Sequence, residues 1–536
     1  MRRAVLSLLS AAALLTSGPA AAQPTRQAFV FIVEGLTPDA AMSDVVIGAL
    51  VRAGGIGVLA SPEDPRLGLS RLSRLAREGS ADLTTRSLAA SDVGPAVRST
   101  LEAGGPSDAL VVVVGSLDVP AGADMVIVAE GNPSDLLAGV GRPRGLTSDT
   151  TRQAGVVADV DVPATILAFL GLPADPVGAV IRIEGPPPTD LFDRAVDHRR
   201  IALPLGLVVL ALGIGSLVVG VAMILLRIRS RVARSTVAVL GLFAVALWVA
   251  LVPASLLPSL ESPVLLPGLL LMGGLLTVAA LIGGRADHTM AVVVVAGGGL
   301  ALLVIDGFLG WPTEVTPLLG GGAVVGVRFY GLGNSESGIV LAGAVLVAAR
   351  LRPRPGVGLL AATGLFAGLP FLGSDLGGGI TLFAVAGLWY GWRVRGRLDP
   401  VAAGIGAAAG LIGATVLLIA HTLWPSPTHV ARAVEAGGVV GTFGDRFISN
   451  LRTTTAIWPV WLTVIGLAVW GVVAGRMGGP FRRMLGRDPR WRVGVVVLAI
   501  GGMIGYVMND TYGMAAVAFA FVSAAMVYPA LRWTSD

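Results

Sequence analysis

The chain contains neither cysteine nor lysine, so all 39 of its basic residues are arginine. Without cysteine, disulfide bonds and thiol chemistry are excluded. Without lysine, a Walker-type phosphate-binding loop is excluded, and ATP-driven transport by this chain alone is not expected. Charge is also scarce, because 14% of the 536 residues are charged, too few to cover a soluble protein of this length. Long apolar segments are therefore expected to lie in a membrane.

The chain is nevertheless basic, with a formal net charge of +5. Its arginines stand in short clusters between apolar runs, which is typical of the cytoplasmic loops of membrane proteins. We therefore expect a lipid bilayer as a partner and no nucleic acid. The arginine-only basic residues, together with abundant alanine, glycine and valine, indicate a GC-rich bacterial genome of the actinobacterial type.

The N-terminus has the pattern of a secretory signal peptide. Arg2 and Arg3 form a basic region, residues 4–15 are apolar, and three alanines at 20–22 supply small residues for cleavage. The sequence predicts a cleaved signal peptide over 1–22. An uncleaved anchor is the alternative, but the apolar core is short for a membrane span. Either way, the residues that follow are expected outside the cytoplasm.

Residues 23–199 are predicted to form an extracytoplasmic α/β domain. Their apolar, β-branched runs are typical of strands buried on both faces of a parallel-rich sheet. Segments with a helical pattern separate these runs, which is the alternation of a layered α/β fold. The predicted strands are 29–33, 109–115 and 125–129, and the predicted helices are 39–53, 67–76 and 93–103.

Two segments of this domain resemble the alkaline phosphatase and sulfatase superfamily. The opening strand ends in V-E-G-L at 33–36, where that superfamily has an apolar strand ending in Asp-Gly. Residues 145–171 are similar to its late segment, in which an Asp and a Pro, here Asp161 and Pro163, precede a T-[IL]-L-x-x-L-G helix. The resemblance implies an alkaline-phosphatase-like fold. In active members it implies cleavage or transfer of phosphate and sulfate esters by two metal ions.

The chain departs from that superfamily where the chemistry would lie. Glu34 stands in place of the usual metal-binding Asp, His198 is the one histidine of the domain, and no Asp-His-Gly cluster is present. We therefore predict a catalytically degenerate domain with no metal site, and leave the cofactor unknown. Ser116 and the segment 148–150 could supply a nucleophile, but turn and helix-cap roles are favoured.

Residues 200–536 are predicted to form an all-α membrane domain of about eleven helices. If the first span runs inward, the clustered arginines of 227–234, 350–354, 393–397 and 476–492 are cytoplasmic, and the domain lies outside. The loop 283–288 carries one arginine. The predicted spans are 201–226, 236–257, 265–283, 289–305, 336–350, 357–372, 378–392, 400–421, 458–474, 493–508 and 513–531.

Polar residues gather in the predicted outer loops, chiefly in 328–336, 373–379, 422–457 and 509–513. Glycines there permit close backbone approach and anion contact, arginines can hold phosphate, and carboxylates can act as bases. Each segment alone could equally be a tight outer turn. The candidate catalytic residues are Asp375, Asp445 and Asp510. The candidate substrate-binding residues are Arg328, Tyr330, Asn334, Glu336, Arg432, Arg446, Asn450 and Asn509.

Three functions are compatible with this pattern. The first is an inner-membrane protein of the bacterial envelope that binds or processes a lipid-linked phosphate or glycan intermediate at the outer leaflet. Its layout is similar to that of lipid-linked phosphoethanolamine transferases, by analogy of architecture alone. The second is a transporter or flippase with broken helices around a substrate path. The third is a non-enzymatic envelope scaffold.

Overall fold

A computed structural model describes most of the chain. The residues described are 26–34, 36–60, 83–103, 108–116, 124–158, 161–172, 178–187, 189–226, 228, 230–257, 262–319, 330–424, 448, 452, 480–509 and 512–533. The predicted signal peptide, the predicted helix 67–76 and the predicted span 458–474 lie outside these residues.

The N-terminal domain is built on a six-stranded mixed sheet. The strands are β1 Arg26–Glu34, β2 Gly55–Ala60, β3 Leu83–Ala89, β4 Asp108–Ser116, β5 Asp124–Gly131, β6 Leu146–Thr147, β7 Val156–Ala158 and β8 Arg182–Ile183. The strand order in the sheet is β3-β1-β4-β5-β2-β7, and β6 pairs with β8 in a separate two-stranded sheet. The three strands predicted from the sequence are confirmed as β1, β4 and β5.

The direction of β5 differs from the expectation of parallel strands. β1 pairs in parallel with β3 and β4, but β5 is antiparallel to both of its neighbours, β4 and β2. Only residues 117–123 join β4 to β5. A parallel crossover needs about a dozen residues or more, so the chain returns as a hairpin. Residues 125–129 of β5 are apolar because both faces of the sheet are covered there.

Helices cover the two faces of the sheet and define two apolar cores. One core lies under the helices α1 Pro38–Ser43, α2 Val45–Ala53, α3 Val93–Glu102 and α4 Pro133–Ala138. The other lies under α5 Asp161–Phe169. The predicted helix 39–53 is broken at Asp44, whose extended backbone ends α1 and whose carboxylate accepts from the amides of Val46 and Ile47 to begin α2.

The C-terminal region is a bundle of apolar helices, and ten of the eleven predicted spans coincide with a described helix. Seven of the described helices are long and apolar enough to cross a membrane, so this is a multi-pass membrane protein by length and composition. The helices are α6 Thr189–Leu225, α7 Arg231–Ala254, α8 Ser262–Gly283, α9 His288–Phe308, α10 Asn334–Ala348, α11 Pro353–Gly368, α12 Leu376–Arg395, α13 Pro400–Leu423, α14 Pro480–Arg487, α15 Pro489–Met508 and α16 Gly513–Trp533.

The helix α6 belongs to both parts of the molecule. It continues without a break across the predicted boundary at 199/200, and Phe192 and Ala195 in its first turns are buried in the domain core. The Arg194 guanidinium donates to the carbonyls of Ser255 and Leu257 at the end of α7. His198 Nε2 lies 2.5 Å from the Pro317 carbonyl oxygen. The domain is therefore seated on one end of the bundle, called here the domain end.

The opposite, far end of the bundle is held together by Arg350. Its Nη1 lies 2.7 Å from Asp488 Oδ2 and 3.4 Å from Asp287 Oδ2, and its guanidinium lies 4.9 Å from the centre of the Trp491 ring. Its Nη2 also donates to Thr289 Oγ1. One side chain thus connects the ends of α9, α10 and α15.

We expect Arg350→Ala to lower the free energy of unfolding by about 3 kcal/mol, because two carboxylates lose a partly buried cation. Arg350→Lys should recover only part of this, since an ammonium group cannot reproduce the guanidinium fork. The measurement is thermal unfolding of the full chain in detergent. Arg397→Ala is the control, because this exposed arginine pairs with Asp399 at the surface. Equal unfolding of Arg350→Ala and the control would refute the role given to Arg350.

Candidate functional site

The first two glycine-rich segments of the sequence meet at the domain end. The Leu332 amide donates to the Gly373 carbonyl at 2.7 Å. Gly331 has a φ of +83°, and a Cβ atom added there would collide with the same carbonyl group. Glycine is needed at this position by conformation and by space. The loop before α10 and the loop before α12 are therefore in direct contact.

The third segment joins the same place. A Cβ atom added to Gly377 would collide with Asn509 Oδ1, and one added to Gly513 would lie 2.8 Å from Ser335 Oγ. The first turns of α10, α12 and α16 thus converge. We call the described residues of the three segments, 330–337, 373–379, 508–509 and 512–514, the glycine cluster. Its three parts are far apart in the sequence and were predicted separately.

Helix N-termini carry partial positive charge, and their first amides lack partners within the helix. Three such ends in contact form a region suited to an anion. Several amides of the glycine cluster already donate within the protein. The Gly378 amide donates to the Asp375 carboxylate. The further amides that donate to backbone carbonyls are those of Leu332, Ser337, Gly373, Ser374, Asp375, Gly379 and Asn509.

Asp375 is the buried N-cap of α12, and both of its carboxylate oxygens are engaged. Oδ1 accepts from the Gly378 amide at 3.1 Å, and Oδ2 accepts from the Ser337 hydroxyl in the first turn of α10. The residue chosen from the sequence as a candidate base therefore connects two helix ends. Its geometry is that of a positioning residue rather than of a free base.

Ser374 is the most unusual residue of the glycine cluster. It has a φ of +50°, which is uncommon for a residue with a side chain, and it is 1% exposed. Within the described part of the chain, its Oγ has no hydrogen-bond partner. An unsatisfied buried hydroxyl is costly, and strained residues of this kind concentrate at functional sites. Ser374 was not among the candidates chosen from the sequence, although it lies in the glycine-rich segment 373–379.

The α/β domain reaches the glycine cluster through Arg152. This arginine has a φ of +56°, its Nη1 donates to the Pro370 carbonyl at 3.1 Å, and its guanidinium lies 3.9 Å from the centre of the Tyr330 ring. Tyr330 directly precedes Gly331. Arg152 lies in the segment 145–171 discussed above, yet it was not selected, because no local pattern indicates a contact 218 residues away.

The remaining described candidates also line the glycine cluster. Glu336 is buried, and its Oε2 lies against Gly333, the N-cap of α10, in the position of a capping-box glutamate. Asn509 is buried, and its Nδ2 lies 3.1 Å from Met514 Sδ. Asn334 is the first residue of α10. Burial raises the pKa of Tyr512 beside them, so its phenol stays a neutral donor. Arg328, Arg432, Asp445, Arg446, Asn450 and Asp510 lie outside the described residues.

Within the domain, polar residues of the segment 145–171 form a closed network of hydrogen bonds. Asp161 is fully buried, and its Oδ2 accepts from Ser148 Oγ at 2.6 Å and from the Ala158 amide at 2.8 Å. Its Oδ1 accepts from the Ala179 amide at 2.9 Å. Ser148 is itself buried, so this network fastens the loop 145–158 to α5 and presents no open nucleophile.

Two further observations bear on chemistry at the domain end. His421 is buried and its Nε2 lies 3.0 Å from the Gly368 carbonyl oxygen. In the described ranges, no group of three or more His, Cys, Asp or Glu side chains is placed to hold a metal ion.

Comparison of the chain with protein family models, with curated proteins and with solved structures gave no match.

Proposed function

We propose that this protein is an envelope protein of the bacterial plasma membrane that binds the phosphate of a lipid-linked intermediate at the glycine cluster, on the extracytoplasmic side. The observation that carries the proposal is the convergence of three helix N-termini around a buried serine hydroxyl that has no partner among the described residues. Helix N-terminal amides and a hydroxyl donor are complementary to phosphate oxygens.

The two buried carboxylates of the glycine cluster are engaged within it. Asp375 accepts from the Gly378 amide and the Ser337 hydroxyl, and Glu336 lies against Gly333, the N-cap of α10. Arg152 adds a cation from the domain, and it is held in place by Pro370 and Tyr330. Arginine suits this role because its planar fork can donate to two phosphate oxygens.

The length of α10 supports a ligand that resides in the membrane. α10 has 15 residues and so spans about 22 Å, less than the hydrocarbon thickness of about 30 Å. Its far end lies beside the Arg350 network, and its first turn meets the first turns of the longer helices α12 and α16. A lipid-linked phosphate could reach this group of helix ends from the side, beside the short helix.

In this proposal the α/β domain is a binding partner of the site and not the catalyst. Its phosphatase-like segment contributes Arg152, while Ser148 and Asp161 hold that segment in shape. The domain would thus cover the lipid headgroup from outside.

The short α10 also favours a second candidate, movement of the lipid between leaflets, because short or glycine-interrupted helices around a binding site occur in transporters. Reconstitution in liposomes with a fluorescent lipid-phosphate would test it. Equal lipid exchange with and without the protein excludes this candidate and leaves the binding proposal unchanged.

The proposal predicts that a polyprenyl-phosphate or phospholipid-phosphate species co-purifies with the full chain in mild detergent. Native mass spectrometry should show at least about tenfold less bound lipid in Arg152→Gln, which removes the cation, and a smaller loss in Ser374→Ala. Arg328→Ala, chosen from the sequence, belongs in the same series.

Arg98→Gln is the matched control, because Arg98 lies exposed on α3 and pairs with Glu102 at a distance of 4.0 Å. It should retain the lipid at the wild-type level. A wild-type protein without lipid, or equal retention by all variants, would contradict the proposed function.

A further inference from the structure

At the far end of the bundle, two buried donors lie together without acceptors. The guanidinium of Arg393, near the end of α12, lies 5.6 Å from the centre of the Trp389 ring. Trp389 is fully buried, and neither its Nε1 nor the buried Nε of Arg393 has a partner in the part of the chain that the structure describes. Buried donors of this kind are rarely left unfilled.

The position of the indole ring is fixed by its surroundings. A Cβ atom added to Gly356 in α11 would collide with the Trp389 ring, so the two helices meet there without space to spare. α12 also packs against α15. The pair of donors therefore lies at a junction of three helices and is built into the bundle.

Among the described residues, the acid near Arg393 is shared with other donors. Asp488 attracts the Arg393 guanidinium and Arg490 repels it, but both Asp488 oxygens already accept hydrogen bonds, from Arg350 at 2.7 Å and from the amides of Arg490 and Trp491. An additional anion would complement Arg393 and Arg490.

The next acid along the chain is also occupied. The Ala402 amide, together with Arg395 and Arg397, lowers the pKa of Asp399 to about 2, so this carboxylate stays charged and paired with those two arginines. It offers no compensation to Arg393.

We propose that the phosphate of an anionic membrane phospholipid binds at Arg393 and Arg490, in the leaflet opposite the α/β domain. Its oxygens would accept from the two guanidinium groups, and the Trp389 ring would support Arg393 through a cation–π contact. Basic pockets between helices at the cytoplasmic surface bind anionic headgroups by this chemistry. A lipid is favoured over a soluble anion because Tyr390, Val394 and Leu398 beside the site are exposed, which suits acyl chains.

The test uses the full chain, delipidated in detergent and titrated with phosphatidylglycerol while thermal unfolding is followed. Phosphatidylglycerol should raise the unfolding midpoint, because a ligand that binds only the folded state stabilises it. The concentration for half of the effect should rise about tenfold in Arg393→Gln. Arg490→Gln, at an exposed position, should show a similar rise and serves if Arg393→Gln fails to fold.

Arg397→Gln is the control and should respond as the wild type does, because Arg397 is exposed and paired with Asp399. Inorganic phosphate at equal concentration should have no effect. An unchanged phosphatidylglycerol response in Arg393→Gln and Arg490→Gln overturns the proposal. Equal stabilisation by inorganic phosphate or by phosphatidylcholine overturns it as well. Because the glycine cluster is also proposed to bind phosphate lipids, the shift in Arg393→Gln and Arg490→Gln, and not the stabilisation of the wild type, identifies the far-end site.

Discussion

Asp375→Ala is expected to lower the free energy of unfolding by about 3 kcal/mol and to abolish lipid retention at the glycine cluster. The substitution removes the N-cap of α12 and leaves the Gly378 amide and the Ser337 hydroxyl without their acceptor. Because Asp375 connects α10 to α12, both helix ends lose their fixed position. The measurements are thermal unfolding in detergent and native mass spectrometry of bound lipid.

Asp375→Asn separates this positioning role from the catalytic role that the sequence suggested. An asparagine can still accept from the Gly378 amide through its oxygen and donate to the Ser337 hydroxyl through its nitrogen. We expect a loss of less than about 1 kcal/mol in stability. Retention of a phosphate lipid should be equal or stronger, since one negative charge is removed near the anion.

The two variants together decide the role of Asp375. A stable Asp375→Asn protein that retains lipid supports a positioning residue. If Asp375→Asn destabilises the chain as much as Asp375→Ala, the charge itself holds the helices, and our account of this cap is wrong.

A second large effect is expected at Asp161, where asparagine should behave in the opposite way. Asp161 accepts three hydrogen bonds, from the Ser148 hydroxyl and from the amides of Ala158 and Ala179. An asparagine nitrogen would face at least one amide N–H, so a donor would meet a donor. We expect both Asp161→Asn and Asp161→Ala to cost about 3 to 5 kcal/mol.

Limited proteolysis or hydrogen exchange of residues 145–183 would measure this loss, because these are the residues that the Asp161 network holds. Asp149→Asn is the control. Arg182 lowers the pKa of the Asp149 carboxyl through an exposed ion pair at 2.9 Å, and such pairs contribute less than about 1 kcal/mol. Protection of 145–183 in Asp161→Asn equal to that in the control would show that the network contributes little.

Much of the candidate site could be predicted, but only as separate parts. Glycine next to Asp or Asn at the start of an apolar helix is a local pattern, and it selected 328–336, 373–379 and 509–513. The pattern could not show that Gly331 touches Gly373 or that Gly513 touches Ser335. Arg152 was missed because its partners, Pro370 and Tyr330, belong to the other part of the molecule.

The sequence by itself determined the elements, since the strands β1, β4 and β5 and ten predicted spans follow from apolar runs whose length and pattern are local properties. The direction of β5 follows from the short connection 117–123. Tertiary structure alone decided the union of three helix N-termini, the engagement of Asp375 by Ser337 and the contact of Arg152 with Tyr330. The physical reason is that a strand or a membrane span is specified by apolar residues that are neighbours along the chain. A site instead requires that packing brings residues distant in the sequence within hydrogen-bond distance, and no local pattern specifies this.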